Sequence, residues 1–392
     1  MKKSILIIAY GELLKCGSAG TTVMNGLVQA SLNSGYKVSY LALLKDSMPS
    51  KNDNFFRHDS QGELITGTQV YTEGSISRFK RLQQTYNHAN LYRLVDQSAM
   101  LEETYDFVIS FETMAYSIAK EIKSNNHLTI IADPAGERLS YIGFNGSLIK
   151  KRILAKVVSL MEVFFWKSQL RNNRVDFVAM FGSRHAQEWS KKLKTRVIDL
   201  RPMVPEVITK SVQTSGNRIP VIVYGGSLGS SASRLNAVRF LKQLKSILNE
   251  FFNKAFEVKI IGQGNGSWAN EVARWERFEL VGEVEVFEDS LLSADLFIIS
   301  TKYPVGVRTR ICSALQAGCY CIIDPVLLKN MPELKGLPFV KSAGNYLEYE
   351  SKIREFTKLS ISEKNNLRQS AYDFYKLNYS PNVASSPILQ NI

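Results

Sequence analysis

Short, almost wholly apolar runs alternate with longer segments of helical periodicity along most of this chain, and this alternation strongly constrains its fold. The run Ser4–Tyr10 is the first of them, and Val23, Leu27, Val28 and Leu32 follow it at helical spacing. A continuous apolar run suits a strand that is covered on both faces, as in a parallel sheet. The sequence therefore predicts an α/β protein built from βαβ units.

Two such series lie on either side of a segment without periodicity, which indicates two domains. Residues 201–218 contain two prolines and scattered polar residues, and we interpret them as a linker. We expect an N-terminal domain over residues 1–200, a C-terminal domain over 219–360, and a helix and tail at 361–392 that pack back toward the N-terminal domain. Both domains are predicted to be Rossmann-like, doubly wound sheets that face one cleft. The polar residues 47–98 are expected to hold a loop and a helix.

The charge balance favours an anionic partner. The 392 residues include 49 Lys and Arg against 36 Asp and Glu, which gives a net charge of +13. Such an excess suits nucleic acid, an anionic membrane surface or a phosphorylated substrate. The positive charge is dispersed and no motif interleaves it with aromatic residues, so we predict that nucleic acid is not a partner.

The apolar segments are too short for a membrane-spanning helix. None approaches the roughly 20 residues that crossing a bilayer requires, and Gly11 and Glu12 interrupt the apolar start before any signal-peptide cleavage site. Residues 147–167 form a basic, partly amphipathic pattern, which either lies on anionic lipid or packs into the N-terminal domain. We expect a cytoplasmic protein, and the helix leaves open a peripheral attachment to the inner face of the cell membrane.

The cysteines show no metal-ligand spacing, and no histidine or carboxylate cluster accompanies them. They are Cys16, Cys312, Cys319 and Cys321. We interpret them as reduced, mostly buried thiols. An acidic pair of the D-x-D kind is also lacking, since Glu288-Asp289 is expected to start a helix. We therefore predict no metal and no resident cofactor.

Glycines end most of the predicted strands, at the sheet edge where doubly wound folds bind ligands. A glycine lets the backbone approach a ligand closely, and the helix that follows presents free N–H groups to phosphate. These glycines are Gly17, Gly20, Gly225, Gly226, Gly262, Gly264 and Gly282. Simple tight turns explain them equally well. Neither the dinucleotide fingerprint nor the P-loop motif is present, which disfavours NAD enzymes and P-loop NTPases.

The sharpest local signal is a loop and helix start that carry two arginines. The segment reads Tyr303-Pro-Val-Gly-Val-Arg308-Thr-Arg310-Ile-Cys-Ser313, and it follows a predicted strand that ends at Ser300. Positive charge at a helix start is unfavourable against the helix dipole unless an anion is present. A guanidinium group binds two oxygens at once, which suits a diphosphate. The alternative is that one arginine pairs with a neighbouring acid and the other is solvated.

In their order and spacing, these segments resemble the GT-B glycosyltransferases of the broad family-4 type. Residues 17–40 resemble the glycine loop, helix and following strand of that family, and residues 175–183 the strand that closes its N-terminal domain. Successive parts of its nucleotide-binding domain are resembled by residues 221–236, 258–264, 280–284 and 295–318. The resemblance covers most of the chain except residues 47–98.

The resemblance implies a nucleotide-sugar site on the C-terminal domain. Arg308 and Arg310 are similar to the basic pair of a G-x-[KR]-x-[KR] subgroup and would neutralise the donor diphosphate. The other donor-binding candidates are Gly20, Gly226, Ser227, Arg234, Gly262, Gly264, Gly282, Glu283, Val284, Gly306 and Ser313.

The chain departs from the family pattern at three of these positions. The two glutamates of the family's E-x7-E motif would fall at Val305 and Ser313, so the usual carboxylate contact with the donor ribose is missing. The basic residue that usually follows the first glycine of the domain is replaced by Ser227. Arg234 either compensates for it or is a solvated arginine at a helix start.

By this resemblance the chain is a hexosyltransferase that moves a sugar from a nucleotide-diphosphate sugar to a glycan or lipid-linked acceptor, in surface polysaccharide biosynthesis. Retention of the anomeric configuration without a metal is implied. An inverting enzyme would need a base in the N-terminal domain. Asp133 is the first candidate and Glu112 the second, although Asp133 is alternatively a turn residue before Pro134. His185 is expected to be a surface residue.

Two other functions remain open on the sequence. The absent glutamates favour a catalytically silent GT-B-like subunit that binds a partner transferase or a glycan. A GT-B epimerase acting on a nucleotide sugar is the third hypothesis, and the lack of well-placed acids and histidines counts against it.

Overall fold

The chain divides into two compact units, each with its own sheet. The computed structural model describes residues 3–10, 19–43, 55–58, 64–72, 92–94, 104–137, 148–208, 219–225, 231–253, 255–262, 267–282, 284, 286–301 and 306–391. Unit 1 comprises Met1–Pro205 and Pro381–Ile392, and unit 2 comprises Glu206–Ser380. The tail expected at residues 361–392 is thus divided between the units. Residues 201–208 of the predicted linker have no regular structure, and 209–218 lie outside the described residues.

Unit 1 is built on one mixed sheet, which has nine strands within the described residues. The strands are β1 Ser4–Tyr10, β2 Lys37–Leu43, β3 Phe55–His58, β4 Leu64–Thr72, β5 Tyr92–Leu94, β6 Tyr105–Phe111, β7 Ser124–Ile131, β8 Phe177–Phe181 and β9 Val197–Leu200. Their order is β3-β4-β2-β1-β6-β7-β8-β9, with β5 paired to β4. All pairs are parallel except β3 with β4 and β4 with β5. The apolar strands β1, β6 and β7 lie side by side and are mostly buried, as the sequence pattern predicts.

The prediction of a loop and a helix at residues 47–98 is wrong for the part that is described. This segment supplies β3, β4 and β5, which extend the sheet beyond β2. In β4, the residues Leu-Ile-Thr-Gly-Thr-Gln-Val-Tyr-Thr are mostly β-branched or aromatic, and such residues favour a strand. The remaining residues of the segment lie outside the described part of the chain.

Unit 2 is built on a parallel sheet that has six strands in the described residues. The strands are β10 Val221–Gly225, β11 Glu257–Ile261, β12 Phe278–Gly282, β13 Leu296–Ile299, β14 Tyr320–Ile323 and β15 Val340–Ser342. Their order is β12-β11-β10-β13-β14-β15, and every pair is parallel. The order reverses direction at β10, where doubly wound sheets bind their ligands. Two doubly wound, Rossmann-like units are therefore confirmed.

Helices flank both sheets. They are α1 Ala19–Asn33, α2 Glu112–Ala119, α3 Leu148–Arg171, α4 Ser183–Leu193, α5 Ser231–Phe251, α6 Ser267–Val272, α7 Phe287–Leu291, α8 Thr309–Gln316, α9 Tyr346–Thr357, α10 Ile361–Asn378 and α11 Pro381–Leu389. In unit 1, α11 packs on α1 and β9, and in unit 2, α8 packs against α7 and α10. None of the described helices is long and apolar enough to cross a membrane.

Each unit has an aromatic core of its own. In unit 1, Tyr116 makes edge contacts with Trp166, whose ring centre is 5.1 Å away, and Trp189 belongs to the same cluster. In unit 2, Phe240 lies between Tyr224 and Tyr349, with ring centres 5.4 Å and 4.8 Å away. These cores hold the strands in register, so the carboxyl ends of the strands become defined positions for functional residues.

Candidate functional site

Two of the predicted donor-binding glycines meet at the carboxyl edge of the unit 2 sheet. The Gly262 N–H donates to the Gly282 carbonyl at 2.7 Å, just after a bulge between β11 and β12. Both have positive φ, 143° and 82°, which a residue with a side chain rarely adopts. No atom of the described residues lies within 4 Å of a Cβ built at Gly282. This backbone is therefore open to close approach by a ligand.

Gly225, at the end of β10, has a packing role. A Cβ built there would lie 3.0 Å from the ring carbons of both Phe287 and Phe297. The small residue lets the Phe287 ring reach the end of the strand. Phe287 begins α7, so this contact also fixes where α7 lies beside the strand ends.

Arg308 and Arg310 lie together at the start of α8. Arg308 is the N-cap of the helix with an extended backbone, and Arg310 is in its first turn. The Arg310 guanidinium lies over the Phe287 ring, 5.4 Å from its centre. Burial lowers the pKa of Arg310; a Tyr224 phenolate would raise it, and the positive charge of Arg308 lowers it further. Within the described residues, no carboxylate forms an ion pair with Arg310. The start of α8 thus carries both arginines within one turn.

A side chain from a later turn fixes the loop that leads into α8. Gly306 has φ of 66°, and its carbonyl accepts a hydrogen bond from the buried Asn330 amide nitrogen at 2.9 Å. The left-handed backbone turns the chain sharply just before Arg308. Gly306 therefore sets the direction in which the chain enters α8, next to Arg308.

A buried carboxylate faces Ser313 from the neighbouring helix. The Ser313 hydroxyl donates to Glu288 Oε1 at 2.6 Å, and the two residues are 2% and 4% exposed. Glu288 lies in the first turn of α7, as the sequence predicts, but it points into the protein and not into solvent. Ser313 thus stands where the family has its second glutamate, and its hydroxyl donates to a glutamate of another helix, Glu288 of α7. No spacing rule links residues 288 and 313, so the sequence did not reveal this pair.

In unit 1, the candidate bases Glu112 and Asp133 lie at the carboxyl ends of adjacent strands. The Glu112 carboxylate contacts the backbone of Asp133. Glu112 follows β6 and has φ of 71°, which is a strained conformation for a residue of this type. Its Oε1 accepts N–H bonds from Ala132 at 3.0 Å and Asp133 at 3.2 Å, just after β7. Glu112 thereby orients the Asp133 loop, and the Asp133 side chain is half-buried.

The expectation that His185 is a surface residue is wrong. His185 is fully buried, and its Nε2 lies 2.9 Å from Glu137 Oε2. Burial, the largest single effect, opposes charge on both groups, but their mutual hydrogen bond and the attraction of nearby charges together outweigh it, so the pKa of His185 is raised and that of Glu137 is lowered. The residues follow β8 and β7, at the same edge as Asp133. The sequence pattern placed His185 in the first turn of a helix, now α4. Its burial results from contact with Glu137 in the loop after β7, which the pattern does not show.

The other predicted site residues fall into two groups. Gly20 lies in the first turn of α1, Arg234 in the first turn of α5, and Val284 is half-buried after β12. Gly226, Ser227, Gly264 and Glu283 lie outside the described residues, as do Gly17 and Cys16. Cys312, Cys319 and Cys321 are buried free thiols, as predicted, and burial raises the pKa of Cys319 to about 12.

The sequence itself matches no family model and no curated protein, but solved structures match over nearly all of it. Sucrose-phosphate synthase from Thermosynechococcus elongatus superposes with a TM-score of 0.67 at 10% identity, over 100% of this chain and 98% of its own. The E. coli trehalose-6-phosphate protein bound with UDP-2-fluoro glucose gives 0.64 at 8% identity, over 99% and 98%. A trehalose-6-phosphate synthase studied for glycosyltransfer with retention gives 0.63 at 9% identity, over 99% and 98%.

These matches establish the class of fold. The chain has the GT-B fold of glycosyltransferases, as the resemblance of its sequence implied. At identities of 8 to 10%, the similarity shows the fold alone.

Proposed function

We propose that the chain is a glycosyltransferase that holds a nucleotide-diphosphate sugar at the carboxyl edge of the unit 2 sheet. The observation that carries this proposal is the pair Arg308 and Arg310, two like charges at a helix start, where the helix dipole also disfavours them. An anion with several oxygens, such as a diphosphate, removes that conflict. The neighbour bound with UDP-2-fluoro glucose supports the same ligand class.

The chemistry explains why such a pair would be useful. Glycosyl transfer breaks the bond between the anomeric carbon and the diphosphate, and negative charge collects on the diphosphate oxygens. Fixed positive groups aimed at those oxygens stabilise the transition state. Arg308 and Arg310 are assigned this role, and the buried Glu288 is assigned the role of fixing the Ser313 side chain beside them, because it accepts the Ser313 hydroxyl. The open backbone at Gly262 and Gly282 would lie against the donor.

The acceptor and the stereochemistry complete the proposal. We assign a glycan or lipid-linked acceptor, in surface polysaccharide biosynthesis, and transfer with retention and without a metal. A neighbour studied for retention supports that outcome. Should transfer invert, Asp133 is assigned as the base, because Glu112 is engaged with the backbone of the adjacent loop.

The test is calorimetric binding of UDP, GDP and their sugars to the full chain. Arg310→Ala is expected to lower the affinity for the nucleotide diphosphate by about tenfold to a hundredfold, because it removes charge-assisted hydrogen bonds. Arg310→Lys should recover only part of the affinity, because it lacks the guanidinium fork. Arg354→Ala is the matched control, since Arg354 also lies over phenylalanine rings, 5.8 Å and 5.6 Å from their centres. Equal affinity of Arg310→Ala and wild type would refute the assignment.

A silent subunit is the second candidate, and the serine at position 313 favours it. Such a protein would bind a glycan or a partner transferase without releasing a nucleotide from any nucleotide sugar. Release of UDP or GDP from its sugar, measured with and without glycan acceptors, separates the two. Release that disappears in Arg308→Ala and Arg310→Ala supports the enzyme.

A further inference from the structure

Helix α3 presents a continuous apolar stripe to solvent. Ile153, Val157, Leu160, Met161 and Phe164 are 57%, 45%, 70%, 41% and 79% exposed. Their spacing of four, three, one and three residues places all of them on one helix face. Single exposed apolar residues are ordinary, whereas a contiguous apolar patch marks an interaction surface. We call this set the α3 stripe.

Buried contacts on the opposite face fix the rotation of α3. Glu162 is 1% exposed, and its carboxylate accepts N–H bonds from Ala135 at 3.1 Å and Gly136 at 3.4 Å. About two turns further on, Gln169 Oε1 accepts a hydrogen bond from the Tyr116 hydroxyl at 2.7 Å. Turning the α3 stripe inward would break these bonds and leave the Ala135 and Gly136 N–H groups without their acceptor, which is unfavourable. The stripe is therefore held facing outward.

The exposed charges on the described part of α3 have one sign. Arg152 and Lys156 border it, and Lys167 and Arg171 continue the same face beyond Phe164. Among the described side chains of α3, the one acid is Glu162, and it is buried. An apolar face edged by cations, with no exposed acid, complements a surface that is apolar inside and anionic at its rim.

We propose that the α3 stripe docks on an anionic phospholipid bilayer, with α3 lying in the plane of the interface. The apolar side chains enter the boundary of the acyl chains, and the lysine and arginine stems reach the phosphate groups. A second copy of this chain fits less well, because two stripes face to face would bring four cations from each copy together without an acid. The proposal does not depend on the proposed transferase activity.

The experiment is co-sedimentation of the full chain with vesicles of phosphatidylcholine, with and without phosphatidylglycerol. The chain is expected to bind the anionic vesicles and to release them as salt rises. Leu160→Gln with Phe164→Gln should weaken binding by about tenfold or more. Arg152→Gln with Lys156→Gln should weaken it by about 25-fold, roughly fivefold per charge. Leu347→Gln with Leu377→Gln is the matched apolar control, since these residues are 70% and 72% exposed in unit 2. Lys335→Gln with Lys358→Gln is the charge control.

A second readout covers variants that fold poorly. An environment-sensitive fluorophore on Phe164→Cys is expected to shift to the blue with anionic vesicles, while the same label on Leu377→Cys does not shift. Three results overturn the proposal: no binding to anionic vesicles, equal losses in the stripe variants and their controls, or a lipid-free dimer in sedimentation that Leu160→Gln with Phe164→Gln abolishes. The last would assign the stripe to a second copy of the chain.

Discussion

Arg310 is held where a cation is unfavourable. Removing an ion from water costs several kcal/mol in real proteins, and the nearby charge of Arg308 adds repulsion. The contact with Phe287 returns about 0.5 to 2 kcal/mol. On the proposed function, a diphosphate that contacts both guanidinium groups would offset the remaining cost, so we expect its binding to stabilise unit 2 by mass action.

A second residue-scale consequence concerns the buried pair His185 and Glu137. The pKa of His185 is raised above its ordinary 6.5, so the stability it contributes is complete below that pH and is lost as pH rises through the raised value. The pKa of Glu137 is lowered below its ordinary 4.5, so its contribution is complete above that pH and is lost as pH falls through the lowered value. The pair therefore stabilises the fold most between these two ordinary values.

We expect Glu137→Gln to lower the free energy of unfolding by about 1 to 3 kcal/mol near pH 5.5, because it leaves a buried imidazole without its anionic partner. The loss should shrink toward pH 8 and below pH 4. Urea titrations followed by circular dichroism at several pH values measure it. Glu188→Gln is the control on the same side of the unit, since Glu188 forms an exposed pair with Arg184 at 2.9 Å. A loss that does not vary with pH would contradict the ion pair.

Sequence patterns placed two arginines at one helix start but did not reveal the acids that contact His185 and Ser313. Arg308 and Arg310 are two residues apart in sequence and sit at a helix start, which is a local signal. Glu137 lies 48 residues from His185, and Glu288 lies 25 residues from Ser313. Each contact arises because parallel strands bring their following loops to one edge. A single sequence gives the periodicity of each element but not which loops meet, so these contacts could not be predicted.

At the scale of elements, α3 shows how one close approach can position a whole helix. The loop after β7 reaches α3 through Gly136, and a Cβ built there would lie 2.6 Å from the Cβ and 2.8 Å from the Cα of Ser159. The absence of a side chain lets the backbone N–H groups of this loop reach Glu162. The basic, amphipathic character of the segment was visible in the sequence, whereas its outward rotation depended on this contact.

We expect Gly136→Ala to destabilise the protein by about 1 to 3 kcal/mol, because helix α3 or the loop must move to admit the methyl group. Thermal and urea unfolding measure the change. Gly344→Ala is the control, since its nearest atoms, in the ring of Pro325, lie at an ordinary 3.4 Å. Equal stability of the two variants would show that the loop and α3 are not in tight contact.

The elements were predicted best where apolar runs are buried on both faces. β13 ends one residue before Ser300, where the sequence predicts a strand to end, and α10 begins at the first residue of the helix expected at the tail. The first turn of α10 also has a capping box between Ser360 and Glu363. The strands β3 to β5 were missed because they lie toward the edge of the sheet, where sequence is polar and the alternation is weak.

At the scale of the whole molecule, the two units differ in how the chain builds them. Unit 1 needs the C-terminal segment Pro381–Ile392, whose helix α11 packs on α1. Unit 2 is one continuous segment, Glu206–Ser380, with a core that includes Tyr224, Phe240 and Tyr349. A continuous segment with its own core meets the usual conditions for folding alone. Every described residue that we assign to the diphosphate lies in this segment.

We therefore expect a fragment of residues 206–380 to fold cooperatively and to bind the nucleotide diphosphate within about tenfold of the affinity of the full chain, a loss of about 1.4 kcal/mol at most. Circular dichroism and calorimetry measure folding and binding, and the fragment carrying Arg310→Ala is the matched control. A fragment that folds but does not bind, while the full chain binds, would place part of the diphosphate site outside unit 2. A fragment that binds equally well with Arg310→Ala would instead remove the arginine pair from the site, because the contacts that hold the diphosphate would then have to come from other groups in the same segment.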